Sequence, residues 1–320
     1  MDDTASQVIC RPSAPGLGAA GRGCPPDLRR PFAVAPAISV IVPVYRDWDR
    51  LPALIAALAA QDRRDFELVL VDNEPGAGNP VPSLPDPGVP VRRVPCARPG
   101  AYAARNAGAA RARGALLVFT DADCLPAADW LRRMARAAAE HPGRILAGPV
   151  DMLARPDPGA WEIFDTVRGI PQHVFLRHGY AATANLALAA ALFARLGGFD
   201  PARLSGGDAE FCRRARGRGV TLHLVPGARV AHPARRCQAD LARKARRIKG
   251  GQVASGPWPG RIAWILRSLA PPLREALAYL VSPYPAAWRL TACRIRLLLW
   301  GTELAELGRL LILRQPPERR

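Results

Sequence analysis

Three continuous apolar runs, each followed by a polar turn, constrain the fold of this chain most strongly. The runs are Ile38–Val42, Phe66–Val71 and Ala115–Thr120, and helical apolar patterns separate them. Apolar runs without alternation are typical of strands covered on both faces, and strands that alternate with helices pair in parallel. The sequence therefore predicts an α/β fold with a mostly parallel, Rossmann-like sheet flanked by helices.

Polar segments follow these three runs, at the point where each predicted strand ends. They are Pro43–Tyr45, Asp72–Asn73 and Asp121–Asp123. Ligands of open α/β sheets bind beyond the carboxyl ends of the strands. We therefore expect the three segments to meet at one edge of the sheet and to line a ligand site.

Carboxylates at two of these strand ends have a chemistry suited to nucleotides. Asp121 and Asp123 could together hold Mg²⁺ or Mn²⁺ and its bound phosphates, because these cations prefer oxygen ligands. Two acids at this spacing are common by chance. The metal-site hypothesis is stronger here because a predicted buried strand precedes the pair and places it at the edge of the sheet where ligands bind. Asp72 could accept a hydrogen bond from a ribose hydroxyl or a base N–H, although a plain turn aspartate is an equal alternative.

Two candidates for chemistry lie in the second half of the chain. Asp208 is in the segment Gly206–Glu210, where paired glycines precede a helical pattern, and it could act as a general base. The alternative is a helix N-cap. His232 ends a short predicted strand and could be a metal ligand, although a lone histidine is more often structural.

Three other polar residues stand out against their surroundings. Arg105 could clamp a phosphate and Asn106 could bond sugar hydroxyls, the alternative being a solvated helix face. Asn185 interrupts an apolar strand pattern, so its amide requires either a partner within the protein or a ligand.

Positive charge is concentrated in the last quarter of the chain. The net charge is +18, and residues 235–320 hold 17 basic and 5 acidic side chains. This distribution fits a polyanion, either an anionic lipid surface or nucleic acid, although an Ala- and Arg-rich composition would produce some of it. We expect a membrane surface rather than nucleic acid, because no nucleic-acid-binding motif is recognisable.

The expected membrane association is peripheral. No stretch approaches the roughly 18 uncharged apolar residues of a spanning helix, and tryptophans beside arginines suit helices that lie in the interface. The alternative is that these helices pack on the rest of the protein or on a second subunit. The 7 cysteines form no CxxC pair and no signal segment is apparent, which favours a cytoplasmic protein at the inner face of the cell membrane.

Composition divides the chain into three predicted parts. Residues 1–36, rich in Pro, Gly and Ala, indicate a disordered leader. Residues 37–234 carry the strand and helix pattern and are the predicted catalytic domain. Residues 235–320 are predicted to form a basic amphipathic helical tail.

Six segments in chain order resemble the inverting glycosyltransferases of family 2, which have the GT-A fold. They span about 38–232 and are Ser39–Tyr45, Phe66–Asn73, Ala104–Gly108, Phe119–Asp123, Gly197–Asp200 and Gly206–Phe211. Each segment alone is a weak match to the family, and the resemblance depends on finding all six in the same order. One position departs from the pattern: the family usually has Glu where this chain has Gly207, so the positioning of the acceptor is open.

The resemblance implies a role for most of the candidates. Asp208 would be the catalytic base. The nucleotide-sugar donor would contact Pro43, Tyr45, Asp72, Arg105, Asn106 and Asp121. A divalent metal ion, Mn²⁺ or Mg²⁺, would be held by Asp121, Asp123 and His232. We expect Asn185 and Glu210 on the acceptor side.

The expected activity is the transfer of a sugar from a nucleoside-diphosphate donor to an acceptor hydroxyl with inversion. A lipid-linked or polysaccharide acceptor, as in cell-envelope synthesis, fits the basic tail. Alternatives are an inactive transferase-like protein, a basic membrane- or nucleic-acid-binding protein, and a nucleotidyltransferase. The segment Pro43–Asp47 has no glycine, which argues against the phosphate-binding loop of the last class.

Overall fold

The computed structural model describes residues 36–76, 83–254 and 258–318. The predicted leader, except for Pro36, lies outside the described residues. The strands are β1 Ile38–Val44, β2 Phe66–Asp72, β3 Val91–Pro95, β4 Leu116–Thr120, β5 Leu125–Pro126, β6 Ile145–Ala147, β7 Val150–Leu153, β8 Asn185–Ala189, β9 Leu222–Leu224 and β10 Val230–Pro233. The helices are α1 Leu51–Ala59, α2 Ala101–Ala109, α3 Trp130–Glu140, α4 Ala160–Arg168, α5 Gln172–Arg177, α6 Ala190–Leu196, α7 Gly207–Arg216, α8 Gln238–Ala254, α9 Trp258–Leu269, α10 Leu273–Leu280 and α11 Ala286–Leu311.

The predicted mostly parallel sheet is confirmed. Within the described residues the main sheet has seven strands, in the order β3-β2-β1-β4-β8-β6-β9. Strands β3, β2, β1 and β4 are parallel to one another, and β8 runs antiparallel to both of its neighbours. A smaller sheet pairs β10 with β5 and β7. The carboxyl ends of β1, β2 and β4 therefore lie side by side at one edge.

Helices cover both faces of the main sheet. Side chains of β1 alternate between two cores, with Val40 and Val42 on one face and Ile41 on the other. The first face packs against α1 and α3, and the second against α2, α6 and α7. Burial on both faces explains why the strands are apolar without alternation.

Two prolines place strand ends differently from the sequence expectation. The sequence predicts that β1 ends before Pro43, but the strand continues to Val44. Because β4 pairs with β1 only as far as Ile41, the absent N–H of Pro43 interrupts no hydrogen bond between these two strands. The sequence also predicts a single strand over residues 144–152, but Pro149 separates this segment into β6 and β7, which join different sheets.

The predicted tail consists of four helices, α8 to α11, within residues 238–311. Three of them, α8, α10 and α11, pack on α4 through a third apolar cluster, composed of Phe164, Val167, Leu241, Tyr279, Ala292, Ile295 and Leu299. A buried ion-pair group joins the same elements: Asp165 on α4 contacts Arg235 at 3.2 Å and Lys244 at 3.4 Å. The tail is therefore docked on the sheet domain by both apolar and charged contacts.

The opposite side of these helices is apolar and exposed. The exposed side chains recur at helical spacing on α9, α10 and α11, and include Trp258, Ile262, Leu266, Leu269, Leu273, Leu277, Leu290, Leu297 and Leu298. Among the described residues, none of the helices has the length and apolar character needed to cross a membrane.

Candidate active site at the carboxyl edge of the sheet

Arg105 is the centre of the polar network at this edge. The α2 helix places it 5% exposed, and its Nη2 donates to Asp121 Oδ1 at 2.5 Å, just beyond the end of β4. Its guanidinium also lies 5.7 Å from the ring centroid of Tyr102, one helical turn earlier. Its Nε–H is buried without a hydrogen-bond partner among the described residues. Such a donor has capacity left for a ligand.

A group of potential metal ligands lies beside this pair. One ligand atom each from Asp121, Cys124 and His232 lies within 4.8 Å of the others. His232 comes from β10 of the small sheet and is 3% exposed. Asp123 approaches the same imidazole, with Oδ1 at 3.5 Å from His232 Nε2, and Arg50 pairs with its other oxygen at 3.1 Å.

The orientation of His232 suits metal binding. Its Nδ1 lies 2.8 Å from the backbone oxygen of Pro233, and because a carbonyl can only accept, Nδ1 carries the proton. In the neutral ring the lone pair is then on Nε2, which faces the carboxylates. Carboxylate oxygens with one imidazole nitrogen fit a divalent cation such as Mn²⁺, whereas the soft thiol of Cys124 is a poor ligand for it.

Asp208 lies in the first turn of α7, and its side chain is half-buried. Its Oδ1 accepts the N–H of Ala209 at 2.9 Å and the hydroxyl of Tyr102 at 3.3 Å. Withdrawal from water raises the pKa of the Asp208 carboxyl, and the contacts with Ala209, Arg105 and Tyr102 offset part of that effect. A raised pKa suits a group that must take up a proton.

Asp72 is placed at the end of β2, on the other side of β1 from Asp121. Two strand spacings, about 10 Å, separate these strand ends. Its Oδ2 accepts from Arg93 at 2.5 Å and its Oδ1 accepts the N–H of Glu74 at 3.1 Å. Pro43 and Tyr45, both half-buried, lie at the end of β1, between these two strand ends.

Three predicted site residues use their polar groups within the protein. Asn106 bonds both the N–H and the C=O of Phe199, so it anchors the turn after α6 instead of facing a donor. Asn185 is fully buried, accepts from Trp130 Nε1 and donates to the backbone oxygens of Pro149 and Ala228.

Glu210 is the third residue of this kind. Both of its oxygens accept from Arg214 one turn later on α7, the shorter contact being 2.8 Å. The structure therefore does not place Asn185 or Glu210 as free acceptor-side groups. The partners of Asn185 lie far away in the sequence, so the local pattern gives no sign of them.

Two residues that the sequence did not single out enter the site. Tyr102 contacts both Arg105 and Asp208. The only sign of it in the sequence was Gly207, which departs from the family pattern and lies next to Tyr102 in the fold. Arg247 reaches the edge from α8 in the tail, close enough to interact electrostatically with Asp121, Tyr102 and Arg105. Burial lowers the pKa of Arg247, and no described carboxylate pairs with it.

The chain is similar to known glycosyltransferases. The profile of the family described as Glycosyl transferase family 2 matches residues 39–157. Glycosyltransferase AglE of Haloferax volcanii is 27% identical over 232 residues, which are 68% of this chain and 73% of that protein. The pre-mycofactocin glycosyltransferase of Mycobacterium tuberculosis is 29% identical over 230 residues, and the chain spans about half of its length, 47%.

A solved structure matches nearly the whole chain. The mannosyltransferase PcManGT from Pyrobaculum calidifontis, in complex with GDP-Man and Mn²⁺, is 21% identical, with a TM-score of 0.57 over 90% of this chain and 92% of that one. At this identity the match establishes the fold alone. The expected GT-A-type fold is confirmed.

Proposed function

We propose, from the premise that this chain belongs to glycosyl transferase family 2, that it transfers a sugar from a nucleoside-diphosphate donor to an acceptor hydroxyl with inversion. The observation that carries the proposal is the connected network at the carboxyl edge. Asp121 bonds Arg105, Arg105 lies over Tyr102, and Tyr102 bonds Asp208. The candidate phosphate-binding group, Arg105, and the candidate base, Asp208, are therefore joined through one residue, Tyr102.

The donor would lie across the strand ends of β2, β1 and β4. Asp72 would accept a hydrogen bond from the nucleoside, against Pro43 and Tyr45. The diphosphate would lie near Arg105, whose buried Nε–H has no partner among the described residues, and near the unpaired charge of Arg247. Arginine suits this role because its fork of donors matches phosphate oxygens.

The residues at the edge also fit a divalent cation. Asp121, Asp123 and His232 would hold it, the last through Nε2. A bound Mn²⁺ or Mg²⁺ neutralises the charge of a departing nucleoside diphosphate. Before the cation binds, Arg50 occupies part of the Asp123 carboxylate, so binding would release this pair.

Asp208 would remove the proton from the acceptor hydroxyl. It lies in the first turn of α7 and bonds Tyr102, which also contacts Arg105. A base on the face opposite the leaving group gives a single displacement and therefore inversion. General-base action of this kind is worth about 10²–10⁴ in rate.

A panel of nucleoside diphosphates and sugar nucleotides, with and without Mn²⁺, would test the donor by thermal unfolding. A ligand that binds only the folded state raises the Tm. We expect one nucleotide to stabilise the protein, and to do so more strongly with Mn²⁺. Release of that nucleoside diphosphate from its sugar nucleotide would then separate an active transferase from an inactive, nucleotide-binding relative.

The exposed face of α9, α10 and α11 supports a second proposal, that the tail binds an anionic membrane surface. Its apolar side chains lie beside exposed Arg267, Arg274 and Arg294, a combination suited to the lipid interface. An acceptor at such a surface would be a lipid-linked sugar or a growing envelope polysaccharide. Measuring binding to anionic vesicles and to DNA at the same salt concentration would distinguish a membrane surface from nucleic acid as the partner.

A further inference from the structure

The departure at Gly207 coincides with a very close approach between two helices. A Cβ atom at position 207 would lie only 2.7–2.9 Å from three carbons of the Tyr102 ring. Real Cβ atoms do not come so close to their neighbours, so α7 and α2 can pack in this way only because residue 207 is glycine.

The Tyr102 ring is fixed on its other sides. Its centroid is 5.7 Å from that of Phe199, and Arg105 lies over it at the same distance. The ring is 8% exposed, so it has little room to move away from α7. Burial raises the pKa of the Tyr102 hydroxyl far above its usual value, which keeps the group protonated and able to donate.

We propose that Tyr102 is a positioning residue for Asp208, and that Gly207 is the substitution that makes room for it. The Tyr102 hydroxyl donates to Asp208 Oδ1 at 3.3 Å and the ring fills the space beside residue 207. This inference rests on the proposed role of Asp208 as the base. The Glu usual at this position in the family and a tyrosine at 102 are therefore mutually exclusive.

Other titratable groups also face Asp208. They are Arg105 from α2, Tyr180 ahead of β8, Cys212 on α7, and Arg247 from α8, which acts on Tyr102. Tyr180 is the control for Tyr102, because Asp208 acts on its hydroxyl through charge alone. Burial, and then the charge of Asp208, raise the pKa of this hydroxyl, and the described residues show no hydrogen bond between Tyr180 and Asp208.

The pH profile of Tyr102→Phe tests the hydroxyl. The variant keeps the ring and removes a bond that favours the ionised Asp208, so the acid limb of kcat/KM should move to higher pH by about half to one unit. Below the limb this is a loss of about threefold to tenfold, and above it the rates should converge with wild type. Tyr180→Phe should keep the wild-type limb.

A packing test separates the ring from the hydroxyl. Gly207→Glu alone should lower kcat/KM by at least about tenfold, because the new side chain collides with the Tyr102 ring. Adding Tyr102→Ser removes the collision, so the double variant should be more active than Gly207→Glu. A double variant no better than the single one would overturn the pairing.

The role of Asp208 as the base and the role of Tyr102 in positioning it can be tested separately. If Asp208→Asn retains wild-type turnover, Asp208 is not the base and the proposed function loses its catalyst. If Asp208→Asn is inactive while Tyr102→Phe has the wild-type limb and rate, only the positioning role of Tyr102 is wrong. A Tyr102→Phe variant that is slower by one factor at every pH would also overturn it.

Discussion

The sheet domain and the tail bury their apolar side chains in opposite ways. Among the described residues, Leu153 is the only strongly exposed large apolar side chain before residue 258, whereas fifteen lie between 258 and 313. The sheet domain hides its apolar residues in two cores. The tail uses one side of its helices for docking on α4 and leaves the other side apolar and open, as a surface-binding element would.

The two regions also differ in how far their charged side chains are paired within the protein. At the sheet edge Asp121, Asp123 and Asp208 remain partly open, and Arg105 keeps an unsatisfied donor. In the tail, buried Lys249 pairs with Glu303 at 3.3 Å, and Arg247, which faces the sheet edge, is an exception to such pairing among the described residues. Partly exposed carboxylates at the edge are what the proposed ligand site requires, whereas the ion pairs of the tail hold its helices in place.

Removing the base should have the largest effect of the changes considered. Asp208→Asn keeps the size of the side chain but cannot take up the acceptor proton, so kcat should fall about 10²–10⁴-fold. The measurement is steady-state release of the nucleoside diphosphate. Donor binding, followed by thermal shift, should be unchanged. Loss of both would mean that Asp208 holds the site together instead.

Breaking the charged link between the two regions should cost the most stability. Asp165→Asn leaves Lys244 and Arg235 without their buried carboxylate, and the free energy of unfolding should drop by about 3–5 kcal/mol. Urea unfolding measures this. Asp240→Asn, which breaks an exposed pair with Arg243, is the matched control and should cost less than about 1 kcal/mol.

The same link gives the pH dependence of stability a definite sign. Burial alone would raise the pKa of Asp165, but Lys244 and Arg235 outweigh it and lower the pKa well below its usual value. The stabilisation is therefore present above the unfolded-state value, about 3.9, and is lost progressively as the pH falls below it. Asp165→Asn should flatten this acid limb of the unfolding curve.

Removing the imidazole should weaken the response to metal at the sheet edge. His232→Gln deletes a predicted ligand, and the concentration of Mn²⁺ that gives half of the nucleotide-dependent rise in Tm should increase by about tenfold or more. His223→Gln is the control, because this histidine stacks on His141 away from the carboxylates. An equal response of both variants would remove His232 from the metal site.

Shortening the apolar face of the tail should have the smallest effect. Leu273→Ser should weaken binding to anionic vesicles by about threefold to tenfold, because one partly inserted leucine contributes about 1 kcal/mol. Leu153→Ser, which changes the exposed leucine of the sheet domain, should leave vesicle binding unchanged. If the two variants behave alike, the contrast between the two regions is not a membrane-binding one.

The sequence predicted the parts of this protein that depend on local pattern. Apolar runs predicted β1, β2 and β4. Parallel strands bring their carboxyl ends together, so the sequence also predicted that Asp72 and Asp121 lie at the same edge of the sheet. Helices α4 and α5 were missed, since they lie in a stretch without clear periodicity. The contact of Asn106 with Phe199 could not be predicted, because the two residues are 93 positions apart.

The contribution of the tail to the site was also beyond sequence reasoning. Arg247 is one of many basic residues on α8, and nothing in its spacing separates it from its neighbours. It faces the edge because Gly251 allows α8 to approach Ser205, where a Cβ would be 2.9 Å from that side chain. Such a contact depends on how α8 docks, which no local pattern encodes.

The most direct test of the account is to locate the metal by anomalous diffraction from crystals grown with Mn²⁺ and the stabilising nucleoside diphosphate. We predict a manganese peak bounded by the carboxylates of Asp121 and Asp123 and by His232 Nε2, with the diphosphate beside Arg105 and the nucleoside toward Asp72. Manganese and nucleotide bound elsewhere, for example among the tail helices, would contradict the central claim that this edge of the sheet is the active site.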